Sequence, residues 1–231
     1  MSAYRFLSVM KQPQNRLWPD GPFYLAAGFP ISTDSILLSA FARVQGAPRC
    51  VDLGCGAGLL LVLLGNRCPA AGLTGVELQA DCAEAARQNL AANGHRAEII
   101  TGDLRQHRAL LPAGRYDLVV ANPPYYPVGS GAAAADPVRA TARSEAGCTL
   151  QQLCAAAAWL CRTGGAFCLV HKPERLSELC VCLTQSGLEP KRLRFVCSRA
   201  GAAPSLLLLE SRRGARPGLV IQPPLVLLRD D

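Results

Sequence analysis

Val51-Asp52-Leu53-Gly54-Cys55-Gly56-Ala57-Gly58 decides the fold of this chain. An apolar run ends there in an acid and three alternate glycines, and a helical pattern, Leu59 to Leu64, begins at once. That order reads as strand, tight turn and helix. Glycines in such a turn allow positive φ and bring the backbone close to a ligand, with a helix N-terminus lying behind it. A nucleotide-like cofactor is the expected occupant. The dinucleotide fingerprint G-x-G-x-x-G requires a glycine at position 59, where this chain has Leu59.

Outward from that stretch, strands and helices alternate. Upstream, Arg49 to Leu53 forms the first strand, and Ser32-Thr33-Asp34 offers helix caps ahead of the apolar positions Ile36, Leu37, Leu38, Ala40 and Phe41, in a helix ending near Arg43. Downstream, a second strand, Gly72 to Val76, ends at Glu77, and a helix covers Gln79 to Asn93. A third strand, Ala97 to Thr101, closes in Gly102-Asp103-Leu104. A carboxylate at the end of a second strand can accept both hydroxyls of a ribose, although a solvated acid also fits there. Asp52, Glu77 and Asp103 repeat at the same edge of successive βα units, which points to an open parallel sheet with its ligand crevice at that edge.

The fourth strand, Tyr116 to Ala121, runs into Asn122-Pro123-Pro124-Tyr125. Residues 126 to 146, rich in Gly, Ala and Pro, read as a mobile loop carrying Arg139 and Arg143. A helix over Leu150 to Arg162, a fifth strand over Ala166 to His171 and a helix from Glu174 to Ser186 continue the alternation. Lys191 to Val196 and Ser205 to Glu210 form an antiparallel pair, and the apolar run Leu225 to Leu228 packs back as an edge strand. The expected architecture is α/β and Rossmann-like: a mostly parallel seven-stranded sheet with helices on both faces and an antiparallel strand near one edge. One domain spans residues 1–231, with 1–30 as an N-terminal arm and 212–231 as a C-terminal tail.

A net charge of +7 and a pI near 9.0 suit a polyanionic partner. The eleven cysteines contain no Cys-x-x-Cys pair and sit among apolar neighbours, as buried reduced thiols do in a cytoplasmic protein. His95, His107 and His171 stand too far apart to suggest a metal site. The N-terminus lacks the apolar core of a signal peptide and the apolar runs are too short to cross a bilayer, so no membrane association is expected.

Asn122-Pro123-Pro124-Tyr125 selects a chemistry. Adenine's exocyclic nitrogen is a poor nucleophile because its lone pair is delocalised into the ring. The side-chain oxygen of Asn122 and the carbonyl of Pro123 can accept its two N–H bonds, drawing the nitrogen towards tetrahedral geometry. Paired prolines hold carbonyls towards a pocket at little entropic cost, and Tyr125 offers a face on which a base can stack. A Pro-rich turn after a buried strand accounts for Pro123 and Pro124 but leaves Asn122 and Tyr125 unassigned.

Together, Asp52-x-Gly54-x-Gly56-x-Gly58, Glu77, Asp103 and Asn122-Pro123-Pro124-Tyr125 resemble the class I S-adenosyl-L-methionine (SAM) methyltransferases that act on adenine or on the planar amide of glutamine. From about Phe29 to Leu228 the chain is similar to the bacterial tRNA(Val) adenine-N6 methyltransferase family. The further signs are Ser32-Thr33-Asp34, Gly75-Val76-Glu77-Leu78-Gln79, Ala142-Arg143-Ser144-Glu145 and the strand Lys191-Arg192-Leu193-Arg194. The Cys and Ala content and the Ala-rich 131 to 135 loop depart from the family pattern.

The resemblance implies that Gly54, Gly56 and Gly58 accommodate the methionine moiety of SAM, Glu77 the ribose hydroxyls, and Asp103 with Leu104 the adenine. Asp52 then orients the glycine loop or the amino group, and Asn122 lies where cofactor and target base meet, with Pro124 and Tyr125 on the base side. Asp34 touches the cofactor, positions the substrate, or caps its helix. The implied partner is tRNA. Lys191, Arg192 and Arg194, with Arg139 and Arg143, are the expected phosphate footprint, Arg192 and Arg194 sharing one strand face; a solvated face is the alternative. A glutamine N5 methyltransferase acting on a translation release factor would use the same Asn122-Pro123-Pro124-Tyr125. A DNA adenine methyltransferase and a SAM- or RNA-binding protein without turnover fit less well.

Overall fold

Parallel strands can be joined only by crossovers, and the helical segments between the apolar runs supply them. The computed structural model describes residues 16–26, 31–123 and 148–227. Within these, α1 (Thr33–Phe41) precedes β1 (Arg49–Leu53), α2 (Leu59–Arg67), β2 (Gly72–Glu77), α3 (Ala80–Ala92), β3 (Ala97–Thr101), α4 (His107–Leu110) and β4 (Tyr116–Ala121). Then come α5 (Leu150–Leu160), β5 (Cys161–His171), α6 (Leu176–Gln185), β6 (Leu188–Cys197), β7 (Pro204–Arg213) and β8 (Val220–Val226). Pro124, Tyr125, Arg139, Arg143, the rest of the 126–146 loop, residues 1–15 and 27–30 of the arm, and the end of the tail from Leu228 lie outside the described residues.

The strands form one sheet in the order β3-β2-β1-β4-β5-β7-β6-β8. The run from β3 to β5 is parallel, β7 is antiparallel to both β5 and β6, and β8 is parallel to β6. Val51, Leu53, Val119, Phe167 and Leu169 pack beneath α5 and α6, while their neighbours Cys50, Leu118, Val120 and Cys168 pack beneath α1, α2 and α3. Burial on both faces is why these strands read as continuous apolar runs. All eleven cysteines are free, and most are buried; burial pushes the Cys50 thiol up to about 12.

Two strand boundaries differ most from the sequence reading. β5 begins at Cys161 and not at Ala166, and the pairing register with β4 shifts between Tyr116 and Leu118 to take up the extra residues. A Cβ at Gly165 would lie 2.9 Å from the carbonyl oxygens of Arg162 and Tyr116, so this irregularity requires glycine. The tail strand runs over Val220–Val226, not Leu225 to Leu228, and brings the sheet to eight strands where seven were expected. Its Pro223 and Pro224 are tolerated because β8 is an edge strand and its register with β6 shifts between Arg194 and Val196, leaving the two prolines out of the regular pairing.

The cations of β6 fasten this edge together. Lys191 Nζ donates to the Arg216 carbonyl at 3.0 Å, and Arg194 Nε donates to the Pro223 carbonyl at 3.1 Å. Arg192 turns inward: its Nη2 lies 2.6 Å from Glu210 Oε2 and 2.7 Å from the Phe41 carbonyl, and its guanidinium stacks 3.8 Å from the Phe41 ring centroid. Glu210 is buried and pairs with Arg212 as well. This corrects the expected phosphate footprint, since a guanidinium committed to a buried carboxylate and stacked beneath a helix is not available to a phosphate.

Removing Arg192 leaves the buried Glu210 with only the more exposed Arg212 as its partner, so Arg192→Ala is expected to lower unfolding free energy in urea titrations by less than the roughly 3–5 kcal/mol of a fully unpaired buried charge. Replacing both Arg192 and Glu210 with apolar residues should recover most of that loss.

Candidate functional site

Where the strand order reverses between β1 and β4, crossovers leave in opposite directions and a crevice opens beyond the carboxyl ends of the strands. Asp52 is in register with Gly75 on one side and Val120 on the other. By strand alternation Asp52, Glu77 and Asn122 therefore project to the face covered by α1, α2 and α3. All three line one cavity at this edge, together with Gly54, Gly56, Gly102 and Leu104.

The turn after β1 is built by backbone hydrogen bonds to β2. The N–H groups of Gly54 and Cys55 both donate to the Val76 carbonyl, at 2.9 and 3.0 Å, and Gly58 N–H donates to the Cys55 carbonyl at 2.8 Å. Gly56 has φ 53° and Gly58 φ 81°, in the left-handed region. A Cβ at Gly58 would also meet the Ala86 Cβ at 3.0 Å, so this glycine sets how closely α2 approaches α3. Gly58 occupies the N-cap of α2, which has no side-chain cap and no acid in its first turn.

Glu77 completes the turn. Its Oε2 accepts from Gly56 N–H at 2.8 Å and its Oε1 from Gln79 N–H at 2.9 Å, joining the glycine turn to the start of α3. Asp52 is buried beside it, and burial, with the nearby Glu77 charge second, pushes the Asp52 carboxyl up to about 8. Asp103 lies at the end of β3 but spends its carboxylate on Arg105: Oδ1 accepts from the Arg105 N–H at 2.9 Å and caps the short helical turn Leu104–Gln106. The Arg105 guanidinium holds the Asp103 carboxyl below the usual range.

Asn122 is held from α1. Its Nδ2 donates to Ser35 Oγ at 3.0 Å and to Ser32 Oγ at 3.4 Å, so the amide oxygen is the opposite end of the planar group. Ser32 stands at the N-cap of α1 yet makes no side-chain cap, its hydroxyl being turned to Asn122 instead. Asp34 sits in the first turn of α1 and is not its cap. Pro123 follows Asn122 on the cavity wall, while Pro124 and Tyr125 lie outside the described residues.

Among the wall residues that were not anticipated are Ser35 and Tyr24. Ser35 carried a legible signal: it follows Ser32 by three positions, on the same side of the helix, and is a buried polar residue among apolar neighbours. Tyr24 belongs to a segment without periodicity, which offered none. Among the described residues no group of His, Cys, Asp and Glu is arranged to hold a metal, and no helix is long and apolar enough to cross a membrane.

An acid whose folded pKa is raised contributes stability below its unfolded value, near 4, that is lost as pH rises through about 8. Melting temperatures of the ligand-free protein are expected to fall across that window, and Asp52→Asn should flatten the profile and raise the melting temperature at pH 8.

The family described as methyltransferase small domain matches residues 31–179. A tRNA1(Val) (adenine(37)-N6)-methyltransferase of Aeromonas hydrophila is 35% identical over 80% of this chain and 77% of its own length. One from Cronobacter sakazakii is 37% identical over 87% of this chain and 84% of its own. Among solved structures, a predicted O-methyltransferase from Agrobacterium tumefaciens superposes with a TM-score of 0.69 at 22% identity, covering 85% of this chain and 88% of that one. At that identity the likeness is one of fold.

Proposed function

This chain belongs to the methyltransferase small domain family, alongside relatives named tRNA1(Val) (adenine(37)-N6)-methyltransferase, and we propose that it methylates the N6 amino group of an adenosine in tRNA, the one beside the anticodon of tRNA(Val). The proposed methyl donor is SAM. The observation that carries this reading is the orientation of Asn122: an amide whose NH2 end is held by Ser35 and Ser32 presents its oxygen as an acceptor, which an exocyclic amino group requires.

The residues present fit the cofactor. Glu77, anchored by two backbone amides, keeps lone pairs for a ribose, and Gly102 and Leu104 offer a surface for an adenine. The uncapped N-terminus of α2 suits a carboxylate. Asp52 beside Glu77 makes the cavity attractive to a cation. When bound, SAM supplies an electrophilic methyl group on a sulfonium.

The chain's own groups then have distinct tasks. Asn122 Oδ1 and the Pro123 carbonyl accept the two N–H bonds of the target amine, localising its lone pair, and no strong base is needed. Gly54, Gly56 and Gly58 let the backbone approach the methionine half, and Asp52 steadies the turn or its amino group. Pro124 and Tyr125 are assigned to the base, and Arg139 and Arg143 to the RNA backbone. Arg194, half-buried on β6, is assigned to that footprint through the donors not used on Pro223. A tRNA substrate also assigns the protein to the cytoplasm.

Transfer of label from SAM to total tRNA, with mapping of N6-methyladenosine, tests the substrate; label entering a release factor and not tRNA would select amide methylation instead. Asn122→Ala is expected to slow single-turnover methylation of an anticodon stem-loop by about 10²–10³ with SAM affinity little changed, because its oxygen acts chiefly in the transition state. Glu77→Ala should instead weaken SAM binding in calorimetry, by the roughly 1–3 kcal/mol of an unpaired buried hydroxyl.

A further inference from the structure

One residue of the cavity wall, Tyr24, comes from the N-terminal arm, and the arm is fastened on both sides of it. Arg16 and Phe23 form an isolated antiparallel bridge about a turn in which Asp20 has φ 59°. Beyond it, Asn89 on α3 and Asn93 at the helix's C-cap, four residues apart, receive the chain as a neighbouring strand would. Asn93 Oδ1 accepts from Phe23 N–H at 3.0 Å, and its Nδ2 donates to the Phe23 carbonyl at 2.7 Å. Asn89 Oδ1 accepts from Leu25 N–H at 2.9 Å, and its Nδ2 donates to the Leu25 carbonyl at 3.0 Å. The fully buried Asn89 also donates from Nδ2 to the Ala57 carbonyl at 2.8 Å, within the glycine turn.

Both neighbours of Tyr24 are thus fixed, and fixed to the turn that holds the ligand. The Tyr24 side chain packs with Ala57, Leu59 and Leu63, is only 7% exposed, and reaches the cavity wall. Among the described residues its hydroxyl has no hydrogen-bond partner. Tyr24 lines the cavity, so a ligand there can supply that partner.

We propose that Tyr24 is a cofactor-binding residue whose hydroxyl donates a hydrogen bond to the carboxylate on the methionine half of SAM. The proposal rests on reading the cavity as a SAM site. Position selects that half: Tyr24 lies against Ala57 and Leu59, at the N-terminus of α2, where amides without a cap already favour an anion. Glu77 and the Gly102 to Leu104 segment line the cavity elsewhere and are assigned the ribose and adenine. Burial raises the phenol well above its ordinary value, which keeps it protonated, and therefore a donor, throughout the physiological range. The Asn89 link makes the arm part of the cofactor site: the side chain that fixes Leu25 also fixes the turn.

Calorimetry with two nucleosides tests this without turnover. S-adenosylhomocysteine carries the amino-acid carboxylate, and 5′-methylthioadenosine lacks it. The wild-type protein is expected to bind both. Tyr24→Phe removes one oxygen and leaves the ring packed, so the fold is retained, as a melting curve checks. The variant is expected to bind S-adenosylhomocysteine about 10- to 100-fold more weakly, the range for a hydrogen bond to a charged group, and 5′-methylthioadenosine within twofold of wild type. Equal losses for both ligands, or no loss for either, would overturn the assignment while leaving the cofactor reading intact. A wild-type protein that binds neither nucleoside would overturn the cofactor reading itself, and the Tyr24 assignment with it.

Discussion

The carboxylate of Glu77 is the constraint from which the site is built. It takes one amide from the glycine turn after β1 and one from the approach to α3, so a single side chain fixes the relation between two crossovers that sequence separates. A parallel sheet sets the strands but not the loops at their ends, and loops without side-chain anchors are free to vary. Here the anchor is an acid at the last residue of β2, in register with Thr101 of β3. Gly75, two residues earlier, makes this possible, since a Cβ there would lie 2.7 Å from the Cys55 sulfur and push the turn away.

Burying a second carboxylate beside the first has an electrostatic cost that the ligand-free protein lessens by keeping Asp52 protonated over much of the acidic and neutral range. The stabilised form is therefore not the charged form. A ligand carrying positive charge reverses the preference, because a cation close to both carboxylates favours ionised Asp52. Selectivity for a cationic ligand over a neutral nucleoside then follows from the pair, while shape selectivity follows from the glycine turn. The two are coupled through Glu77, which takes part in both.

Much of this was legible in the sequence, and the limits have physical reasons. β1, β2 and β4 were readable because strands buried on both faces leave apolar runs, which lead to Asp52, Glu77 and Asn122, whereas β3, at the sheet's edge, was legible only from Ile99 and Ile100 ahead of Gly102-Asp103. The start of β5 was not, because Gly164 and Gly165 signal a loop when they in fact permit a register shift within the strand. β8 was misplaced because an edge strand buries little and carries two prolines. Arg192 looked like a surface cation because its partners, Glu210 and the Phe41 carbonyl, are remote in sequence, and the strand pattern gives only a face and not what covers it. Asn89 and Asn93 looked like ordinary polar positions in a helix; their partners come from an arm with no period of its own.

Asn89, Asn93 and Asn122 use the same property of the side-chain amide, which has a donor end and an acceptor end in one rigid plane. On α3 both ends are satisfied by the arm, and the result is structural. At the end of β4 the donor end is held by the serines of α1, and the acceptor end is directed by default, since a planar group fixed at one end has little freedom at the other. Ser32 forgoes capping its own helix to do this, an exchange of local helix stability for orientation at a distant strand end. A side-chain amide whose plane is already fixed by the two serines needs little further ordering to meet an amino group, which is the advantage this geometry offers to the proposed reaction. The rigidity comes from β4, buried between β1 and β5, and the aim comes from α1; neither element alone defines the direction of the Asn122 oxygen.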